Sequence, residues 1–376
     1  MTSDQPKVAI IADWLTNMGG AEEVVLALAE AFPDAPIYTS TYDADKMPRF
    51  KKHDIRTTYL QKFPGPLRKL HKFFPTMRVR AFQKLDLSEF DVIISSSSAE
   101  SKQIRKTREG QVHICYCHTP IRYYWSHYDE YKRDPGFGKL NWLIRLAMPL
   151  FVPRMRQLDY DAAQRVDYFI ANSEAVKTRI STYYNRPSTV VHPPVDTRRF
   201  SPSRDRGSHY VTTGRQVPYK RHDLVVEACT RLGVPLDVFG NGPMHARLKK
   251  IAGPTIRFRT DRFGDASDDE LNRSITTARG FIYAGEEDFG IVQVEALAAG
   301  TPVIAYGRAG TLDIVTSPEL GELFEHQTVD DVVAAIERSQ NQQYYPSKLA
   351  RTAKRFDKGL FIAKLQKVVS SSLPKN

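Results

Sequence analysis

With 376 residues, 41% of them hydrophobic and 26% charged, the chain has the length of two domains and the composition of a soluble globular protein. Three cysteines, Cys115, Cys117 and Cys229, are too few for a disulfide framework and predict a reducing compartment; no signal-peptide pattern and no apolar run of membrane-spanning length stands in the sequence. The net charge of +11 is concentrated, with twelve Lys/Arg against one acid, Asp54, between Lys46 and Lys84.

Lys7 to Ala12 reads as a buried first strand and Ala21 to Phe32 as a helix. Gly19 and Gly20 lie between them, where glycines let backbone approach a ligand. The spacing is not G-x-G-x-x-G, so it fails as a dinucleotide fingerprint. Ile37 to Ser40 is expected to be the second strand. In the basic segment that follows, Phe63, Leu67, Leu70, Phe73 and Phe74 fall near helical spacing, with Arg68, Lys69 and Lys72 between them. That pattern suits an anionic membrane surface. Single-stranded nucleic acid is the competing partner and a solvated basic face the simplest alternative, although no RNP, KH or zinc pattern is present.

Strands are predicted at Asp91–Ser95 and Val112–Cys117. His113, Cys115, Cys117 and His118 match no common zinc spacing, and strand alternation turns His118 away from the other three. His118 stands at a strand's carboxyl end, where open α/β sheets hold ligands. Asp159-Tyr160-Asp161 has the D-x-D form of metal-dependent sugar transferases, but falls inside a predicted helix, Met155 to Arg165, and reads as helix surface. Val166–Ala171 and Ser188–Val191 complete this half. His192-Pro193-Pro194 and the polar run Ser201–Ser208 mark a linker.

A second α/β series begins with strands Tyr210–Thr213, Leu236–Phe239 and Ile256–Arg259, and Ser267-x-x-Glu270 is a capping box. Arg215 and Lys220 follow its first strand, five residues apart, and suit a diphosphate. The stretch from Gly285 to Ala305 (GEEDFGIVQVEALAAGTPVIA) places Glu287 and Glu295 eight residues apart around Phe289, Gly290 and Ile291. Gly300 and Pro302 end a helix that begins near Ile291. Its N-terminal amides suit a phosphate or a row of hydroxyls, and Glu295, on an otherwise apolar helix, calls for a partner such as a sugar diol. The plainer reading is an acidic loop, a solvated glutamate and an ordinary helix.

The stretches GRQVPYKR, VFGNGP, GEEDFGIVQVEALAAGTPVIAYGRAGTLD and HPPVDTRRF, with GGAEEVV and CYCHTPIRYYW in the first half, resemble the retaining GT-B glycosyltransferases of family 4 (group 1). The resemblance is nearest to the GDP-mannose-dependent mannosyltransferases. It implies an α/β protein of two Rossmann-like domains with parallel sheets facing across a cleft. Residues 1–197 would bind the acceptor and 206–356 the nucleotide sugar, with a last helix, about 357–376, packing back on the first domain. By resemblance, Arg215 and Lys220 match the diphosphate cations, with Gly214 beside them, and Glu295 the ribose carboxylate. Glu287, Phe289, Gly290 and Ile291 match the donor-sugar loop, His118 the acceptor-side histidine, and Gly19 and Gly20 the phosphate and acceptor loop.

Thr260, where the family often has Gly, and the loop Asp261–Ala266 depart from the pattern near the nucleobase, leaving guanine against uracil open. The implied activity is metal-independent, retaining transfer of a hexose, mannose from GDP-mannose, to a lipid-linked or glycan acceptor. No metal or cofactor is required. The enzyme would be cytoplasmic and peripheral on the inner membrane face, docking through Lys46–Lys84, and no nucleic-acid partner is expected. The alternatives are a UDP-sugar transferase, a GT-B epimerase, or a non-catalytic sugar-nucleotide- or nucleic-acid-binding protein.

Overall fold

The strands of this computed structural model form two parallel sheets; the residues described are 6–65, 68, 74–133, 141–260 and 267–373. The chain divides into two units, one running to Pro194 and resuming at Phe361, the other Val195–Leu360.

In the first unit, β1 (Val8–Ala12), β2 (Ile37–Thr39), β3 (Ile55–Thr57), β4 (Val92–Ser97), β5 (Val112–Cys117), β6 (Tyr168–Ala171) and β7 (Ser188–Val190) lie in the order β3-β2-β1-β4-β5-β6-β7. β1, β4 and β5 are buried at every position, as parallel strands covered on both faces must be. The chain builds outward from β1 to β3, then returns to the other side of β1 as β4. Ligands of open α/β sheets sit outside the carboxyl ends at such a reversal. The Gly20–Ala31 helix contributes Val24, Val25 and Leu28 to a core shared with Ile10, Ile37 and Ile94. The final helix, Lys358–Ser372, adds Phe361, Leu365 and Val369 to that core, and Gln366 Nε2 donates to Ala31 O at 3.1 Å.

One expectation about this unit is corrected. Asp159 is not helix surface. The helix is longer than its polar end indicates, Asn141–Gln164, and turns Asp159 inward, 1% exposed, onto the Lys102 ammonium. Trp125 Nε1 and the Tyr184 hydroxyl donate to its other oxygen at 2.8 and 2.7 Å. Asp161 is exposed. Among the described residues, four cations between Lys46 and Lys84 are already neutralised by the protein. Lys46 pairs with Asp43, Arg49 with Glu23, Arg56 with Asp54 and Glu89, and Arg78 lies wholly buried against Glu100. Leu67, Lys69, Leu70, Lys72 and Phe73, and the loop Asp261–Ala266, lie outside the described residues.

The second unit holds β8 (Tyr210–Thr213), β9 (Leu236–Phe239), β10 (Ile256–Phe258), β11 (Gly280–Tyr283), β12 (Val303–Tyr306) and β13 (Gly321–Phe324) in the order β10-β9-β8-β11-β12-β13. Its reversal falls between β8 and β11, so the loops after Thr213 and Tyr283 emerge side by side. Ser267 caps the Asp268–Thr277 helix, its hydroxyl accepting from Glu270 N at 3.1 Å.

Candidate active site

In the second unit, Gly214 leaves β8 at φ +136°, a conformation that favours glycine. A Cβ there would lie 3.2 Å from Lys220 Nζ. The turn Gly240-Asn241-Gly242 clamps this loop. Gly240 has φ +90°, and a Cβ on it would meet Gly214 O at 2.2 Å. The buried Gln216 amide donates to Gly240 O at 2.7 Å, and its Oε1 is 2.8 Å from His245 Nδ1. Thr260, the departure from the family pattern, donates its hydroxyl to Gly240 O at 2.8 Å and so braces the same turn.

The loop after β11 crosses the first. A Cβ on Gly285 would lie 2.8 Å from Lys220 Cα. Lys220 Nζ and Glu287 Oε1 are 3.1 Å apart, and the Tyr283 hydroxyl donates to the same oxygen. Lys220 and Glu287 are each about one-fifth exposed, so the pair is reachable yet partly shielded from water. Arg215 is exposed and has no ion-pair partner among the described residues. Gly290, at φ +105°, caps the Ile291–Ala298 helix without a side chain to cover its first amides; Gln293 N turns back onto Gly290 O at 2.9 Å. Gly310 pins this loop from behind: its amide donates to Glu287 O at 3.0 Å, and a Cβ on it would meet Phe289 Cα at 2.2 Å.

Phe289 is buried, its ring 5.4 Å from that of Phe356, so it shapes the loop from below and offers a ligand only backbone. Glu295 is half-buried. Ile291 opens the helix and packs at the edge of the apolar core.

His222 was not singled out by the sequence. It is buried at the start of the His222–Leu232 helix; Nδ1 lies 3.4 Å from Thr212 Oγ1 and Nε2 has no hydrogen-bond partner among the described residues. The ideal Cβ position of Gly214 is 3.7 Å from that nitrogen. Burial, and then the Lys220 cation, pushes the imidazole down to about 4. In the first unit burial pushes His113 down to about 3. Each ring is neutral when folded and takes up a proton on unfolding below its ordinary value near 6.5. Stability they contribute above that pH is therefore lost as pH falls toward 4. Thermal melts between pH 7 and 4 are expected to show His222→Asn flattening the acid-side loss.

The first unit gathers a separate polar site at its own reversal. His118 Nε2 lies 2.8 Å from Ser96 Oγ, and Asn172 Nδ2 donates to His118 O at 2.9 Å. Gly19 is extended and caps the Gly20–Ala31 helix. Asp13, just past β1, holds the loop after β4: its carboxylate accepts from the amides of Ser98, Ala99 and Ser101 at 2.7, 2.9 and 2.7 Å. Asp13, Trp14, Glu22, Ser96 and Ser98 line a pocket of about 120 Å³. Among the described residues, no cluster of His, Cys, Asp or Glu could hold a metal ion.

Two parallel Rossmann-like sheets, with a cation–carboxylate pair at one reversal and His118 against Ser96 at the other, have the architecture of the GT-B class. Residues 18–199 match the profile of Glycosyltransferase Family 4 and residues 196–356 that of Glycosyl transferases group 1. The chain belongs to the family 4 glycosyltransferases. It is 34% identical over 149 residues to a GDP-mannose-dependent alpha-mannosyltransferase of Mycobacterium tuberculosis, and 33% identical over 157 residues to an MMP alpha-(1->4)-mannosyltransferase of Mycolicibacterium hassiacum. Each match covers 38% of this chain, and 38% and 37% of the respective relatives, so it spans well under half of either protein. The fold resembles the sucrose-phosphate synthase of Thermosynechococcus elongatus (TM-score 0.70, 17% identity, 98% of this chain and 99% of that one). It also resembles Anabaena HepE in complex with UDP (TM-score 0.68, 16% identity, 97% and 100%).

Proposed function

We propose that the protein is a retaining, metal-independent mannosyltransferase that uses GDP-mannose and delivers the sugar to a lipid-linked or glycan acceptor. The observation that carries this reading is the Lys220–Glu287–Tyr283 cluster beside the helix amides after Gly290, at the strand reversal of the second unit. Phosphates would satisfy Lys220, Arg215 and the helix amides, and sugar hydroxyls would donate to Glu287. In the neutral tautomer with Nδ1 as acceptor toward Thr212, His222 would keep its proton on Nε2 and donate a hydrogen bond through it to a phosphate oxygen. As the sugar–oxygen bond breaks, charge grows on the diphosphate, where Arg215 and Lys220 stabilise it. The leaving oxygen accepts the acceptor's hydroxyl proton while the new bond forms on the same face. His118 and the Gly19–Gly20 loop would position the acceptor. The two partly matching mannosyltransferases support mannose over other hexoses. The acceptor would be reached at the cytoplasmic membrane face, with the cations of Lys46–Lys84 contributing attraction.

The test is a screen of GDP- and UDP-sugars for release of free nucleotide. GDP-mannose should be turned over fastest. A UDP-sugar in first place would transfer the reading to the UDP-dependent members, and no turnover of any donor would favour a binding protein. Glu295 is assigned to the ribose. Glu295→Ala should erase the preference for GDP over 2′-deoxy-GDP, a loss of about 1.5–3 kcal/mol for a charged hydrogen bond. Undiminished discrimination by the variant in calorimetry would remove Glu295 from that role.

A further inference from the structure

The Asn141–Gln164 helix is apolar on two opposite sides. Its buried residues begin at Val152: Val152 and Met155 are buried against Val79, Ile121 and Tyr124, and Met148 joins that cluster from its edge. From Asn141 to Phe151 no side chain is buried. At about 100° per residue, Trp142, Leu143, Leu146 and Leu150 fall on one side, away from Met148, Val152 and Met155. They are exposed by 66%, 47%, 67% and 83%. Single exposed leucines are ordinary, but four large apolar side chains in one stripe are not. On the same projection Arg145 and Arg154 border the stripe on its two sides. Arg145 donates to Arg133 O, and Asp129, Lys132, Arg133 and Arg145 line one shallow pocket at the stripe's end.

We infer that the first half of this helix is a membrane-docking element, lying in the headgroup layer of an anionic bilayer with its Trp142–Leu150 stripe in the acyl boundary. Interfacial helices combine an apolar stripe, cations along its borders and an aromatic at the water boundary. Leu143 to Val152 is too short to span a bilayer, and no helix among the described residues is long and apolar enough to cross one. A second copy of the chain is a poorer occupant, because a two-fold contact would bring the same arginines together. Docking by insertion also differs from attraction through Lys46–Lys84, four of whose cations are occupied within the protein. The inference rests on the proposed lipid-held acceptor for its purpose, and its test is separable from that reading.

Flotation of the full chain with phosphatidylglycerol–phosphatidylcholine vesicles should show binding that survives moderate salt and falls by at least about tenfold in Leu146→Glu/Leu150→Glu. Vesicles should shift tryptophan emission to the blue, and Trp142→Phe should remove the shift. Nucleotide release from the donor, measured on the same samples without lipid, should be equal in wild type and the double variant. Binding by the double variant as strong as by wild type overturns the inference. So does wild type that ignores the vesicles while the substitutions turn a dimer into a monomer. Vesicle binding with no donor turnover leaves docking intact and sinks the transferase reading instead.

Discussion

Lys220→Ala is expected to lower turnover of the donor by at least about a hundredfold, and Arg215→Ala by a comparable factor, the loss seen when one preorganised stabiliser of developing charge is removed. The two cations stand differently. Lys220 is held 3.1 Å from Glu287 in a partly shielded site, whereas Arg215 is exposed, and so available to an incoming phosphate. A charge fixed near the leaving group acts on the transition state more than on the bound donor, so both variants should lose kcat more than KM. Lys220→Ala also leaves Glu287 without its ion-pair partner. Lys220→Arg, which keeps the charge, should recover part of the rate. EDTA should leave the wild type active. Complete loss with EDTA and rescue by magnesium or manganese would replace these cations with a metal, and a drop below tenfold in both alanine variants would place the diphosphate elsewhere.

Arg78→Ala is expected to destabilise the first unit by about 3–5 kcal/mol, the usual cost of stranding one member of a buried ion pair. Arg78 and Glu100 are each 1% exposed and joined by two hydrogen bonds, Nε to Oε2 at 2.7 Å and Nη2 to Oε1 at 2.9 Å. The Tyr123 hydroxyl donates to Oε1 at 3.3 Å. With Arg78 gone, Glu100 keeps that bond but loses its counter-charge in a site where burial already raises its carboxyl above the usual range. The damage should reach further, because Glu100 lies in the loop that Asp13 collects beside the first unit's pocket. Chemical denaturation reads the loss directly. An apolar pair, Arg78→Met with Glu100→Leu, should restore much of it, since removing both charges also removes the desolvation cost. A single variant within one kcal/mol of wild type would show that water reaches the pair.

The order of strands and helices was legible in the chain wherever one pattern was strong. KVAIIA, VHICYC and GFIY are continuous apolar segments between turn residues, and parallel strands buried on both faces leave that mark. The missed strands carry a weaker one. β3 (IRT) is an edge strand with exposed side chains, and β13 (GELF) begins at a glycine and holds a glutamate. The candidate donor site was legible because its parts are local: the cation loop and the acidic loop are each continuous, and glycines announce their turns. The short stretch 285–305 contained Glu287, Gly290 and Glu295 together.

What the tertiary structure decided were the pairings across the sheet. Lys220 meets Glu287 because β8 and β11 are neighbours at the reversal, a fact of strand order and not of either loop. The same order leaves His222 Nε2 buried beside Gly214, with nothing in its flanking residues to mark it. Asp13 holds residues 98–101 because β1 and β4 are adjacent, though 85 positions separate Asp13 from Ser98. Asp159 and Leu150 sit on one helix, and their periodicity places them on different sides. Only the packing of Val79 and Tyr124 against that helix determines which side is enclosed, so the aspartate is inside and the leucine outside. Periodicity records which residues share a face; which face is covered depends on what the rest of the chain brings to it.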